Sequence, residues 1–341
     1  MTSVRKCAES DDRSETNGRR RHTARDAQEH DWKYWIEADG RRPLQLSALV
    51  SSLTIFAPAK INLFLAITGR RPDGFHNLVS VVAPVEWGDE LTVEPAADFS
   101  LVCEDPAVPH DHSNLVLKAA DAFRTASGWR GGATFSLRKR IPVGAGLGGG
   151  SSDAAAALRA LNQLAGNILS AAALTNVAAR VGSDCALFLH EGPVVMRGRG
   201  EEITLLQDSA RRRLKGRDVL IFKPAFCIST AWAYARLAAG APSSYFPAAG
   251  AEARLTGWEA GSDGPEELLY NTMEVVAVAK FPALPVLLEQ LNRDFGLMAR
   301  MSGSGSACFV LLPDGAPVEA ICGSIRRAWG DSTFLVQTRL Q

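Results

Sequence analysis

The sequence predicts an α+β fold in two successive parts, and three observations carry the prediction. β-prone apolar stretches separated by turn signals run from Leu53 to Glu94. A strand-like segment then passes through a glycine-rich turn into an alanine-rich helix, Ala133 to Gly166. Beyond a basic run near Gly216, helical and strand-like segments alternate. A length of 341 residues suits one large or two ordinary domains. The expected division is an extension over 1–50, an N-terminal domain over 51–215 and a C-terminal domain over 216–341.

Composition narrows the class. A hydrophobic fraction of 46% and a charged fraction of 22% fit a soluble globular chain, neither disordered nor fibrous as a whole. With 37 basic and 37 acidic residues the formal charge is zero, so no long-range attraction draws the chain to nucleic acid or an anionic membrane. No apolar run approaches the roughly 18 residues a membrane helix needs. The six cysteines are scattered without a C-x-x-C pair, as expected for reduced thiols in a cytoplasmic protein. The first fifty residues are charged, mixed in sign and without aliphatic periodicity, which predicts a disordered extension. Glu9, Asp11, Asp12, Glu15 and Asp26 argue against an organelle-targeting peptide, and Arg19 to Arg21 reads as a solvated run rather than a nucleic-acid patch.

The elements follow in order. "LTIFAPAKINLFLAI" predicts a strand, a break at Pro58 and Lys60, and a second strand. "RRPDGFHNL" carries a D-G turn, and "LVSVVAPVEWGDELTVE" predicts strand on either side of a further turn at Gly88 and Asp89. "SNLVLKAADAFRTASG" predicts a helix capped by Ser113 or Asn114 and ended by Gly128. "ATFSLRKRIPVG" alternates as a strand, and "SSDAAAALRALNQLAG" predicts a helix with Ser151 or Ser152 at its start. "LSAAALTNVAARVG" predicts another helix. After "RRRLKGR" come the strand "DVLIFKP", the helix "PALPVLLEQLNRDFG" and the strand "ACFVLLP".

The segment Pro142 to Ser152 is the chemical centre of this pattern. Glycines stand at 144, 146, 148, 149 and 150, and glycine loses more backbone entropy on ordering than any other residue. A strand, a glycine turn and a helix start gather unpaired N–H groups and the positive end of a helix dipole at one point. Glycines admit phosphate oxygens close to the main chain, and Ser151 and Ser152 add hydroxyls for phosphate or a metal. A bound polyphosphate offsets the entropic cost. The loop lacks the G-K-[ST] ending of the P-loop and the pattern of a dinucleotide βαβ unit. His110 and His112 have no accompanying metal-ligand spacing and read as an exposed loop.

"PVGAGLGGGSSDAAAAL" resembles the ATP-binding motif of the GHMP kinases, which include galactokinase and the homoserine, mevalonate and phosphomevalonate kinases. "APAKINLFLAITGRRPDGFHNL" resembles the first motif of that family, "GSDCALFL" its aspartate segment, and "MSGSGSACFVLL" its third glycine motif; "RGRGEEI" and "NTMEVVAVAKFPAL" extend the match over roughly Thr54 to Leu312. The resemblance implies a ribosomal-protein domain 2-like N-terminal domain and a ferredoxin-like C-terminal domain. It implies ATP held by Pro142, Val143, Gly144, Ala145, Gly146, Leu147, Gly148, Gly149, Gly150, Ser151 and Ser152, with Mg²⁺ carried chiefly by the phosphates and helped by Ser152. Asp184 falls on the family's general base and Lys60 on its catalytic lysine; an aligned alcohol, a carboxylate and a balancing cation are what phosphoryl transfer requires.

The turn Asp73 to His76 resembles the branch of the family whose alcohol carries a cytidyl group. Phe75 would then stack on the base and His76 hydrogen-bond to it, while Asn62, Gly303 and Ser304 would lie against substrate phosphate or hydroxyls. The residues alone also allow a packed turn at Phe75 and His76, and a strand bend at Met301 to Ala307. Two departures stand out. Cys185 and Ala186 replace the family's Val-Pro, removing a backbone constraint beside Asp184. Phe75 stands where a tyrosine is usual, which keeps stacking and loses a hydroxyl. A kinase for another small alcohol, such as mevalonate or homoserine, and a non-catalytic nucleotide-binding regulator are the alternatives. The partner expected is a small molecule; oligomeric state is not readable.

Overall fold

The architecture begins with two very long strands. In the computed structural model, which describes residues 52–341, β1 (Leu53–Arg70) and β2 (His76–Ala96) form one antiparallel hairpin. The extension and arginine run expected in the first fifty residues lie outside the described residues. The D-G turn is where the sequence places it: Gly74 has φ 87° and its N–H donates to the Arg71 carbonyl.

The break at Pro58 and the turn at Gly88–Asp89 are not formed. Both strands run straight through, because the pairing shifts register between Pro58 and Lys60 and a bulge absorbs the proline. Gly88 lies opposite Pro58, where a Cβ would come 2.1 Å from the Ala57 carbonyl oxygen. The glycine is required by that close approach rather than by a turn.

The first sheet adds β3 (Ser100–Cys103), β4 (Gly132–Arg138), β5 (Val194–Arg197) and β6 (Glu202–Leu205). β2 is long enough to pair with β4 over Glu90 to Ala96 and with β5 over Ser80 to Val82. Three helices cover one face: α1 (Leu115–Ser127), α2 (Gly149–Leu164) and α3 (Ala171–Val181). Asn114 caps α1 by accepting from the Val116 N–H, and Ser170 caps α3. α2 is different. It begins two residues before the serines expected to cap it, on Gly148 in the left-handed region, with no side-chain cap. Phe123, Leu158 and Leu161 pack from these helices onto Leu91, Val93 and Phe135 of the sheet.

The chain leaves the first sheet through α4 (Asp208–Leu214) and enters a second through β7 (Asp218–Lys223). There follow α5 (Thr230–Ala239), α6 (Ala248–Ala260), the two-residue β8 (Tyr270–Asn271), α7 (Glu274–Lys280), α8 (Ala283–Phe295), β9 (Arg300–Met301), β10 (Cys308–Leu311), α9 (Val318–Trp329) and β11 (Phe334–Arg339). β8 returns to pair with β1 in the first sheet. The order β11-β7-β10-β9, all antiparallel, with α8 before β9 and α9 before β11, is the βαββαβ arrangement of a ferredoxin-like domain.

Strand periodicity joins the two parts. Leu220 and Phe222 of β7 face Leu287, Leu291, Ile321 and Ile325 of α8 and α9. Val219 and Ile221 face the other way, into a core that contains Ile61, Val81 and Val85 of the first sheet and Leu255 and Trp258 of α6.

Candidate active site

A cavity of about 890 Å³ opens where β1, the glycine loop, α5 and the β9–β10 connection converge. The loop is built by alternation. Ala145 and Leu147 are buried in the shared core, whereas Gly144, Gly146 and Gly148 face the cavity with φ of 66°, 79° and 73°. Any contact of Ala145 or Leu147 with a ligand is therefore through backbone. A Cβ at Gly146 would lie 2.2 Å from the Ser302 carbonyl oxygen, and one at Gly148 would lie 2.9 Å from the Lys60 side chain. At the start of α2 the Ser152 N–H is the first to bond back, to the Gly148 carbonyl, so the amides of Gly149, Gly150 and Ser151 are the free donors of the helix end. No acidic residue stands in that first turn to compete with an anion. Pro142 precedes the turn, and Val143 is exposed at its rim.

Lys60 is buried, its backbone N–H bonded to the Leu147 carbonyl at 3.0 Å. Its Nζ donates to Asn62 Oδ1 at 2.7 Å and lies 3.5 Å from Asp184 Oδ2. Asn62 donates in turn to Ser80 Oγ at 3.0 Å, and Ser80 to the Phe64 carbonyl at 2.6 Å, which fixes the amide orientation. Asp184 is 37% exposed at the cavity wall, on the turn before the short 3₁₀ segment Ala186–Leu189. The departure beside it is packed: the Cys185 N–H donates to the Gly182 carbonyl, and burial pushes the Cys185 thiol up to about 12. That cysteine is a core residue rather than a nucleophile.

The connection Met301 to Ala307 forms the facing wall. Ser302 Oγ donates to the Gly146 carbonyl, and the Ala307 N–H to the Ala145 carbonyl, so the two glycine segments are laced together. Gly303 has φ 58° and sits over the Lys60–Asn62 pair; Ser304 Oγ is 2.7 Å from Thr230 Oγ1. Across the cavity, Phe75 is half exposed, with the Arg199 guanidinium 5.0 Å from its ring centre. His76 is buried with its ring 4.9 Å from that of Tyr234, and its Nε2 has no partner among the described residues. Burial, with Arg70 nearby, holds its pKa below the usual histidine value.

Of the candidates named from the sequence, Lys60, Asn62, Phe75, His76, Gly144, Gly146, Gly148, Asp184, Gly303 and Ser304 line this cavity, whereas Pro142, Val143, Ala145, Leu147 and Gly149 to Ser152 do not, and the Ser152 Oγ is buried without a partner among the described residues. His110 and His112 lie elsewhere, exposed, with His112 bonded to Asp121. Sequence reasoning missed Tyr234, Thr230, Ser80 and Arg199, which line the cavity from distant elements. It also missed Asn271, whose amide donates to the carbonyls of Met301 and Gly303. Asn271 opens the quoted segment "NTMEVVAVAKFPAL", which carried a signal without a role.

Comparisons with known proteins identify the family. Residues 114–192 match the model of the GHMP kinases N terminal domain and residues 263–331 that of GHMP kinases C terminal. The chain is 37% identical over 282 residues to a 4-diphosphocytidyl-2-C-methyl-D-erythritol kinase of Chloroherpeton thalassium, spanning 82% of this chain and 96% of that one. It is 39% identical over 277 residues to the kinase of the same name from a Synechococcus strain, spanning 77% and 88%. The crystal structure of a 4-(cytidine 5'-diphospho)-2C-methyl-D-erythritol kinase superposes with a TM-score of 0.66 at 34% identity, covering 84% of this chain and 99% of that one. A homoserine kinase from Cytophaga hutchinsonii, at 17% identity and a TM-score of 0.60, shares the fold. With two family models and relatives above one-third identity over most of both chains, the chain belongs to the GHMP kinases and, within them, to the 4-diphosphocytidyl-2-C-methyl-D-erythritol kinase family.

Proposed function

We propose that the chain transfers the γ-phosphoryl group of ATP to the 2-hydroxyl of 4-diphosphocytidyl-2-C-methyl-D-erythritol, a step of the non-mevalonate route to isoprenoids. The carrying observation is the meeting of Lys60 and Asp184, 3.5 Å apart, between an anion-receptive helix start and an aromatic wall. Asp184 accepts the hydroxyl proton as the oxygen attacks phosphorus. Lys60, held by Asn62, balances the charge of the entering oxygen and of the transferring group. The amides at the start of α2 hold the nucleotide phosphates, and the laced glycine segments fix the distance between donor and acceptor.

On the acceptor side, Phe75 offers a face for the cytosine ring, and the unpartnered His76 Nε2 offers a directional contact to its edge. Mg²⁺ fits the same scheme. Among the described residues no cluster of three His, Cys, Asp or Glu forms a metal cage. The cation would therefore be carried by the phosphates, and the unpartnered Ser152 hydroxyl is the protein oxygen at hand. When bound, it neutralises charge on the transferring phosphoryl oxygens. No helix among the described residues is long and apolar enough to cross a membrane, and the reading places the enzyme in the cytoplasm acting on small molecules, without a nucleic-acid partner.

The test is ADP release with ATP, Mg²⁺ and the cytidyl alcohol, beside mevalonate, homoserine and galactose. Turnover confined to the cytidyl alcohol is expected. Turnover on another alcohol would remove the roles given to Phe75 and His76, and ATP binding without turnover on any of them would favour a regulator.

A further inference from the structure

Directly beneath the start of α2, outside the cavity, lies a buried ionic cluster that the reaction scheme does not use. Lys139 Nζ donates to Asp89 Oδ2 at 2.5 Å and to Asp153 Oδ2 at 2.8 Å, and the three side chains are at most 5% exposed. Asp89 Oδ1 also accepts from the backbone N–H groups of Arg140 at 2.5 Å and Ile141 at 2.8 Å. Asp153 Oδ1 has no partner among the described residues. A Cβ at Gly149 would come 2.8 Å from Lys139 Nζ, so the ammonium group presses under the first residue of the helix.

Such a cluster is a poor source of stability. One cation and two carboxylates must leave water, and a buried ion set is often matched or bettered by apolar packing of the same volume. A buried lysine at a helix N-terminus also opposes the helix dipole. What the cluster provides is position. It ties the middle of β2 through Asp89, the strand exit at Lys139 to Ile141, and the first turns of α2 through Asp153. Those three points bracket the glycine loop on both sides. None of the three side chains lines the cavity.

We propose that Asp153, acting through Lys139 and Asp89, is a positioning residue that sets where the start of α2 presents its amides to the nucleotide. This rests on the reading of the glycine loop as the ATP site. Asp153→Ala leaves a neutral Lys139–Asp89 pair, so the loop loses one of its two mounts without an uncompensated charge.

The experiment measures affinity for a non-hydrolysable ATP analogue with Mg²⁺ by calorimetry, the KM of each substrate, and the melting temperature, all in the full chain. In Asp153→Ala, nucleotide affinity falls about tenfold while the KM of the alcohol stays within about twofold. Asp153→Asn, whose amide oxygen still accepts from Lys139, restores most of that affinity. Unchanged nucleotide affinity in Asp153→Ala, whatever the melting temperature does, overturns the proposal, as does an equal loss for both substrates. If Asp153→Ala is insoluble, Lys139→Arg takes its place: a selective loss of nucleotide affinity supports the mount and none overturns it. Failure of the unsubstituted chain to bind the analogue would overturn the nucleotide reading itself, and the mount with it.

Discussion

The loop at Gly144–Gly150 ends on a helix, whereas the loop at Ser302–Ser306 joins two strands of the second sheet. The first is mounted on charge: Lys139, Asp89 and Asp153 hold its two ends. The second is held by Asn271, which donates to the Gly303 carbonyl and to that of Met301 just before the loop, and by Glu274, which accepts from the Met301 N–H at 2.7 Å. Burial raises the Glu274 pKa, with the Met301 hydrogen bond and Arg300 opposing. The first loop leaves free helix amides, an arrangement suited to anions, while the second lies over the Lys60–Asn62 pair. Similar glycine-rich strings thus present different backbone groups because different elements follow them.

Substitutions on either loop test that division. The largest effect is expected where both sides meet. Asp184→Asn should lower kcat by roughly 10²- to 10⁴-fold in steady-state assays while ATP still binds. Retained turnover would mean that another group takes the proton. Next comes the lacing between the loops: Gly146→Ala drives a methyl onto the Ser302 carbonyl at a φ of 79°, and a loss of about a hundredfold in kcat/KM for both substrates is expected. A loss confined to ATP would show that the loops move independently.

Asn271→Ala leaves the Met301 and Gly303 carbonyls without their buried donor. It should raise the KM of the alcohol about tenfold, leave that of ATP nearly unchanged, and lower stability by about 1–3 kcal/mol, read by denaturant titration. Phe75→Ala, at a half-exposed ring, should weaken the cytidyl alcohol by about fivefold, the low end for base stacking. The smallest effect concerns pH. A histidine held below its ordinary 6.5 stays neutral when folded, so the stability it contributes is present above 6.5 and declines as pH falls below that value towards its folded pKa. The KM of the alcohol should therefore be flat from about pH 6.5 to 8 and rise only on further acidification. A change centred near 6.5 would place His76 in solvent.

Much of this was legible in the chain. Periodicity located α1, α3, α8 and β7, and the glycine spacing located the turn that leads into α2, because these signals are local. The errors have physical causes. Pro58 and the Gly88–Asp89 pair look like punctuation, but each answers the other across a bulge, and one residue's neighbours do not reveal its cross-strand partner. The serines at the start of α2 look like caps, yet the glycine before them takes that position and leaves the amides bare. Asp89, 50 residues before Lys139 in the chain, gave no sign of their buried contact, nor did Tyr234 of the wall it lines or Asn271 of the carbonyls it holds. Residues joined only by tertiary packing leave no spacing to read.

The inner face of β7 has a consequence for the life of the chain. Because Val219 and Ile221 share a core with Ile61 and Val85, a cut in the connection near Gly216 would leave each fragment with a bare, oily surface rather than a finished module. During synthesis the first sheet must wait, part-made and adhesive, for the last strands to emerge. The two sheets are distinct in pattern, and indivisible in their manufacture.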